Sequence, residues 1–284
     1  MNLSVVMPAY NEEPVIEEVL KRLIALDLHS EILVVDDGST DRTAEVAQRV
    51  PGVRVIQQPY NMGNGAAVKA GIRAATGDLI LLMDADGQHP PEEIPNLLQH
   101  IDQYDMVVGA RNAETQQSTH RLLANQFFNK YAAYIVGRKV PDLTSGFRII
   151  RTPVAKEFVN ILPNGFSYPT TITIALFTTG YTVKYQPFLA PKRVGESKIR
   201  PLRDGIRFLL TLTRLAVFFV PFKIFLPISL FFVIPGAFYV ALQLVAVGRF
   251  SGFGSLTIIL GVLFFVMGLI SEQIALLRIS ISGR

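Results

Sequence analysis

The sequence predicts an α/β domain with a mostly parallel sheet, followed by interfacial amphipathic helices and a two-helix transmembrane hairpin. Three observations carry this. Short continuous apolar runs alternate with helical patterns through the first half of the 284 residues, as expected for strands covered on both faces by intervening helices. Polar clusters follow the apolar runs, where ligands bind on such sheets. Half of the residues are apolar, and the excess lies after about Phe208, so a mean hydropathy of +0.35 reflects a separate C-terminal segment.

In order, strands are predicted at residues 3–9, 31–35, 53–57, 78–83 and 106–109, with helices at 12–26, 41–50, 65–75 and 91–100. Asn11 is placed to cap the first helix. The pattern is less regular over 111–191, which holds a helix near 122–136, the loop Asp142-Leu143-Thr144-Ser145-Gly146-Phe147-Arg148, and a helix near 171–179. Within 192–221, Arg200, Arg203, Arg207 and Arg214 recur at helical spacings among Phe208, Leu209, Leu212 and Leu215, the pattern of interfacial helices. Residues 222–247 and 256–277 each exceed the roughly 20 apolar residues that span a bilayer. Arg214, Lys223, Arg278 and Arg284 flank the pair, so the positive-inside rule puts both ends in the cytoplasm. Glu272 reads as a carboxylate snorkelling to the interface. Gly236, Gly261 and Gly268 suit packing against a second subunit, a homo-oligomer. The expected domains are 1–191, 192–221 and 222–284.

Composition excludes several classes. Without cysteine there is no disulfide scaffold or thiolate metal site. His29, His89, His100 and His120 have no metal-ligand spacing. The net charge is +4, and many cations lie between Lys192 and Lys223, beside the apolar tail. That favours a membrane surface over nucleic acid. Met1-Asn2-Leu3-Ser4 opens no signal peptide, so the N-terminal domain is expected in the cytoplasm of a multi-pass cell-membrane protein.

Asp84-Ala85-Asp86 follows an apolar strand directly, and residues two apart in extended chain point to the same side. Paired carboxylates suit a hard cation, Mg²⁺ or Mn²⁺, that also grips diphosphate oxygens. Asp36 and Asp37 end another strand, and one of them is expected to hydrogen-bond a base or ribose. The segment 61–67 is rich in Gly and Asn but is no dinucleotide loop, since Val68 stands where a third glycine belongs. Nor does it carry the Gly-Lys-Ser/Thr of a P-loop. It is expected to wrap a nucleotide-sugar, its small residues allowing close approach.

Pro8-Ala9-Tyr10-Asn11-Glu12, Val34-Val35-Asp36-Asp37-Gly38-Ser39, Asp84-Ala85-Asp86-Gly87-Gln88-His89-Pro90-Pro91-Glu92, Thr144-Ser145-Gly146-Phe147-Arg148 and Gly195-Glu196-Ser197-Lys198 resemble family 2 glycosyltransferases with the Rossmann-like GT-A fold. More narrowly they resemble the dolichyl- and undecaprenyl-phosphate sugar transferases, the group that includes dolichyl-phosphate mannose synthase. The resemblance implies transfer of a hexose, with inversion, from a GDP- or UDP-sugar to polyprenyl phosphate. Pro8, Tyr10, Glu12, Val35 and Asp37 would line the nucleoside pocket. Asp84, Asp86 and Gln88 would hold the metal and donor phosphates. Arg111 and Arg121 would face donor diphosphate or acceptor phosphate. Asp142, Ser145 and Arg148 would lie near the reacting centre, and Arg193, Ser197 and Lys198 would close over the donor. Ser167-Tyr168-Pro169-Thr170-Thr171 lacks the acidic residues expected there in many relatives.

An acceptor phosphomonoester has a second pKa of about 6, so it is largely dianionic at neutral pH and needs little help from a base. Asp142 would orient or polarise it. A processive polysaccharide synthase is disfavoured because the chain has no Trp for the Gln-x-x-Arg-Trp motif. A silent nucleotide-sugar sensor is disfavoured by the intact acidic pair.

Overall fold

A computed structural model describes residues 1–112, 119–165, 167–191 and 201–282. It divides into two compact units, Met1–Phe208 and Leu209–Arg284.

The first unit is built on a seven-stranded sheet. Its strands are β1 (Leu3–Ala9), β2 (Glu31–Asp36), β3 (Val53–Gln57), β4 (Leu79–Leu82), β5 (Met106–Arg111), β6 (Arg148–Arg151) and β7 (Val183–Phe188), in the order β3-β2-β1-β4-β6-β5-β7. All seven residues of β1 and all four of β4 are buried, which explains their uninterrupted apolar runs. Every strand but β6 runs the same way, because β6 is antiparallel to both β4 and β5. Six carboxyl ends and the start of β6 therefore share one edge.

The helices of this unit are α1 (Ile16–Ile24), α2 (Thr43–Gln48), α3 (Asn64–Ala74), α4 (Ile94–Leu98), α5 (Thr119–Val136), α6 (Thr152–Phe158) and α7 (Tyr168–Thr178). In α1 the apolar spacing buries Ile16, Val19, Leu20 and Leu23. They join one core with Val5 and Met7 of β1 and Leu81 of β4. The predicted cap is not found. Asn11 adopts φ 56° and its side-chain oxygen accepts the Thr40 N–H at 2.9 Å. The helix begins four residues later, because Val15 and Ile16 donate to the Glu12 carbonyl in an intervening turn.

Two strands escaped the sequence pattern. β6 is only Arg-Ile-Ile-Arg, too short for a period to register. β7 is half-buried and contains Pro187, which is tolerated at the sheet edge it occupies.

Helix α8 (Pro201–Phe219) crosses the unit boundary. It buries Leu212, Ala216 and Phe219 and exposes Ile206 and Leu210. The second unit continues as α9 (Phe222–Val247) and α10 (Gly252–Ser282). Two segments, Phe222–Val247 and Gly252–Leu277, have mean hydropathies of 2.2 and 2.5 and are long and apolar enough to cross a membrane. They pack antiparallel along a seam of Gly254, Gly261 and Gly268. A β-carbon at Gly261 would lie 2.9 Å from the Ser229 carbonyl oxygen and 2.5 Å from Val233 Cγ2, and one at Gly254 would lie 3.1 Å from the Gly236 carbonyl oxygen. Gly236, Gly261 and Gly268 thus serve the hairpin itself, where a second subunit was expected to face them. Glu272 does not simply snorkel, since its Oε2 accepts the Phe222 N–H at 3.2 Å, at the start of α9.

Gly261→Leu should overpack this seam by about 1–3 kcal/mol. The expected result is a lower melting temperature in detergent by circular dichroism. Gly252→Ala should melt like wild type, because a β-carbon there meets nothing within 4 Å.

Candidate functional site

The shared sheet edge gathers three groups of side chains. At the end nearest β1 and β2, Pro8 and Val35 are buried register partners, and Tyr10 stands 43% exposed just past β1. The half-buried Glu12 donates its backbone N–H to Thr43 Oγ1 at 2.8 Å. Asp37 is buried and braces a loop, its two oxygens accepting the N–H groups of Met62 at 2.8 Å and Gly63 at 2.9 Å. Asp36 Oδ1 accepts the Ser39 N–H at 3.2 Å, closing a turn. Both acids are thus engaged with backbone, where sequence alone suggested a base or ribose contact for one of them.

The loop that Asp37 holds also differs from expectation. Gly63 has φ 103°, and a β-carbon on it would sit 2.5 Å from the Asn164 carbonyl oxygen. A β-carbon on Gly65 would run into the Pro163 carbonyl. The Ala66 N–H donates to the Asn164 carbonyl at 3.1 Å. The small residues admit the protein's own 163–165 backbone, and this corrects the reading of a loop wrapped around a nucleotide-sugar.

Asp84 and Asp86 occupy the centre of the edge, both half-buried on the turn after β4. The turn is fixed from inside. The Asp84 N–H donates to His89 Nδ1 at 2.9 Å, and the Gln88 N–H donates to Asp86 Oδ1 at 3.1 Å. His89 is buried and stacks on Phe147, with ring centroids 5.2 Å apart. Burial pulls its pKa down to about 4, against the opposing pull of Asp86. The ring is therefore neutral and accepts at Nδ1. Among the described residues no third His, Cys, Asp or Glu joins the two carboxylates as a metal cluster.

Beyond them, the end of β5 meets the loop before β6. Arg111 grips Asp142 with two parallel bonds, Nε to Oδ2 at 2.8 Å and Nη2 to Oδ1 at 2.9 Å. Its backbone N–H adds a third at 3.2 Å, and Nη2 also donates to Thr144 Oγ1 at 2.7 Å. Burial pushes the Asp142 carboxyl up, but the Arg111 bonds and charge outweigh it and hold it below the usual carboxylate range. A carboxylate so held is a poor proton acceptor.

Residues 4–159 match the profile of glycosyl transferase family 2, and residues 220–277 match the GtrB C-terminal hairpin. The chain belongs to glycosyl transferase family 2. It is 30% identical over 307 residues to the undecaprenyl-phosphate 4-deoxy-4-formamido-L-arabinose transferase of Photorhabdus laumondii, covering 96% of this chain and 88% of that one. The enzyme of the same name from Edwardsiella ictaluri is 39% identical over 184 residues, covering 58% of this chain and 56% of the relative. Against several such relatives the match thus spans less than two thirds of their length. Among solved structures, the glucosyl-3-phosphoglycerate synthase of Mycobacterium tuberculosis, in complex with Mn²⁺ and uridine-diphosphate-glucose, has a TM-score of 0.59 at 22% identity. The likeness covers 76% of this chain and 79% of that one. It is a likeness of fold, the GT-A arrangement.

In this glycosyltransferase Arg148 is not at the surface of the site. It is fully buried on β6, between Leu82 of β4 and Val108 of β5. Its guanidinium donates to the Ser145 carbonyl, to the Pro169 carbonyl at 3.0 Å and to Thr173 Oγ1 at 3.2 Å. Burial lowers its pKa. It ties the 145–147 loop to the start of α7, a structural role for a residue expected near the reacting centre, within electrostatic reach of Asp142 and Asp84. Ser145 is likewise buried, its Oγ accepting the Phe147 N–H at 3.3 Å.

Arg121 lies in α5 with its side chain outside the described residues, as do Arg193, Ser197 and Lys198 entirely. Sequence reasoning quoted His89 within a motif but gave it no role. Its signal was a single His near a strand end, which only burial and Nδ1 geometry turn into a prop for Asp84.

Proposed function

We propose that this family 2 glycosyltransferase moves a hexose from a GDP- or UDP-sugar to polyprenyl phosphate, with inversion, at the cytoplasmic membrane face. The observation that carries the reading is the half-buried Asp84–Asp86 pair on a rigid turn at the ligand edge of the sheet, in a chain that ends in an apolar hairpin. The names of the relatives support the lipid acceptor.

The donor set fits a hard divalent cation, Mg²⁺ or Mn²⁺, since two carboxylates without nitrogen or sulfur partners leave coordination positions for diphosphate oxygens and water. Asp84 and Asp86 would hold it, with Gln88 beside them. Bound there, it would neutralise charge on the departing nucleoside diphosphate. Pro8, Tyr10, Glu12, Val35 and Asp37 form the nucleoside end. Arg111 presents positive charge beside the carboxylates and offers it to a second anion. Asp142, saturated by Arg111, positions that guanidinium, and the acceptor dianion attacks in a single displacement. Arg121 would face donor diphosphate or acceptor phosphate, and Arg193, Ser197 and Lys198 would close over the donor. The hairpin keeps the domain beside its lipid, raising the effective concentration of head group.

The test is transfer from radiolabelled UDP- and GDP-sugars to polyprenyl phosphate in detergent. The expected result is chloroform-soluble label from one donor, lost with EDTA, whose anomeric configuration by NMR is opposite to the donor's. Folded protein that binds nucleotide yet labels no lipid from any donor would overturn the acceptor.

A further inference from the structure

Arg148 is fully buried, and every group it bonds is neutral: the Ser145 carbonyl, the Pro169 carbonyl at 3.0 Å, Thr173 Oγ1 at 3.2 Å and Met106 Sδ at 3.8 Å. Its Nε has no partner. Among the described residues no carboxylate bonds it. The phenols of Tyr168 and Tyr185, which act on it electrostatically, are kept neutral by burial. A guanidinium keeps its proton inside a protein, so an uncompensated positive charge stands within the domain. Such a charge is costly to bury. A neutral donor such as glutamine could bond the same carbonyls, and the feature that sets arginine apart from it is permanent charge.

The charge stands beneath the acidic edge. Arg148 is the register partner of Leu82, two residues before Asp84. A β-carbon on Gly146, two residues before Arg148, would lie 3.0 Å from Asp84 Oδ2. With water excluded from around the guanidinium, its field is weakly screened on the way to that edge. Asp142 and Asp84 are the carboxylates that feel it, and Asp142 already has the Arg111 fork.

We propose that Arg148 is a buried electrostatic residue that biases the acidic edge toward diphosphate. Its charge attracts an anion arriving at Asp84 and Asp86 and repels a bare divalent cation there. The edge then favours the anionic complex of metal with nucleoside diphosphate over the metal alone. Arg148 touches neither ligand and is a positioning residue that acts through space. The proposal rests on the metal reading of the Asp84–Asp86 pair given above.

The test is binding to the full chain in detergent. Mn²⁺ alone is followed by the spin resonance of the free ion, and the better bound of UDP and GDP is followed by calorimetry in EDTA. Arg148→Met should bind Mn²⁺ about tenfold more tightly and the free diphosphate about tenfold more weakly, the order expected for one unit charge acting across a partly hydrated site. A loosened loop would weaken both, so the opposite signs separate charge from packing. Thr173→Asp puts a carboxylate where Arg148 already bonds Oγ1. It neutralises the charge and leaves the ties to both carbonyls. It should move the two affinities in the same opposite directions, and it carries the test if Arg148→Met does not fold. Unchanged affinities in the folded variants, or a loss of both, would overturn the role of Arg148 while leaving the metal reading in place. A wild type that binds neither Mn²⁺ nor diphosphate overturns the metal reading, and this proposal with it.

Discussion

Asp86→Ala is expected to lower sugar transfer by at least about 10³-fold, the scale on which removing a charge-stabilising group from an active site acts. The fold should survive. The residue is half-buried on a turn, and the hydrogen bond it accepts from the Gln88 N–H is worth about 1 kcal/mol. Binding of a nucleoside monophosphate should be unchanged, because the proposed nucleoside pocket draws on β1 and β2 and a monophosphate lacks the diphosphate bridge. Binding of the diphosphate should weaken and lose its dependence on Mn²⁺. Transfer that persists in the variant would remove Asp86 from the chemistry. Loss of monophosphate binding as well would mean that the substitution had damaged the fold.

Arg111→Met is expected to produce the largest loss of stability. It leaves Asp142, only 5% exposed, without its forked partner. Breaking a buried pair costs about 3–5 kcal/mol, and because Arg111 is itself 30% exposed the lower figure applies. For a unit of this size that is a fall in melting temperature of roughly 6–12 °C at neutral pH. The pH dependence carries the sign. In wild type the Asp142 pKa is depressed, so its contribution is full above the unfolded value of about 3.9 and fades as pH falls through the folded value. In the variant Asp142 keeps the backbone N–H groups of residues 111 and 144 but loses its countercharge, so burial raises its pKa relative to wild type and the ionised form becomes a liability that acid removes. The gap between the two proteins should therefore narrow from pH 7 toward about pH 4. A gap independent of pH, measured by circular dichroism, would mean that Asp142 is not the group left stranded.

The parts of the molecule readable in the sequence are those whose physics is local. β1, β2, β4 and β5 announce themselves because burial on both faces demands unbroken apolar runs, and α1 because one face alone is buried. The acidic pair is legible for the same reason, since a strand ending in Asp-x-Asp puts two carboxylates at a ligand edge whatever the rest of the chain does. β6 is illegible because arginines close both its ends, and only tertiary contacts explain why Arg148 is inside. The pairing of Arg111 with Asp142 crosses 31 positions and has no sequence period. The glycines at 63 and 65 were read by type correctly, as sites of close approach. What approaches, the 163–165 backbone, lies about a hundred positions further along the chain. Of the Thr-Ser-Gly-Phe-Arg segment, four residues are now accounted for by contacts that no pattern displays: Thr144 on Arg111, Gly146 beside Asp84, Phe147 on His89, and Arg148 beneath α7.

The reversed strand has a consequence for biosynthesis. β6 fills the slot between β4 and β5, yet it is made after both. Until the ribosome has released residue 151, the four-stranded piece β3-β2-β1-β4 ends on an unpaired edge and β5 has no partner strand. Such edges are the sites where chains stick to one another. The pairing that joins them closes a long loop and is intrinsically slow. Because the 142–147 loop is threaded directly into that strand, the edge that carries the candidate site gains this loop in the same event that joins β4 to β5. Any truncation ending before Arg148 should therefore be aggregation-prone as well as inactive.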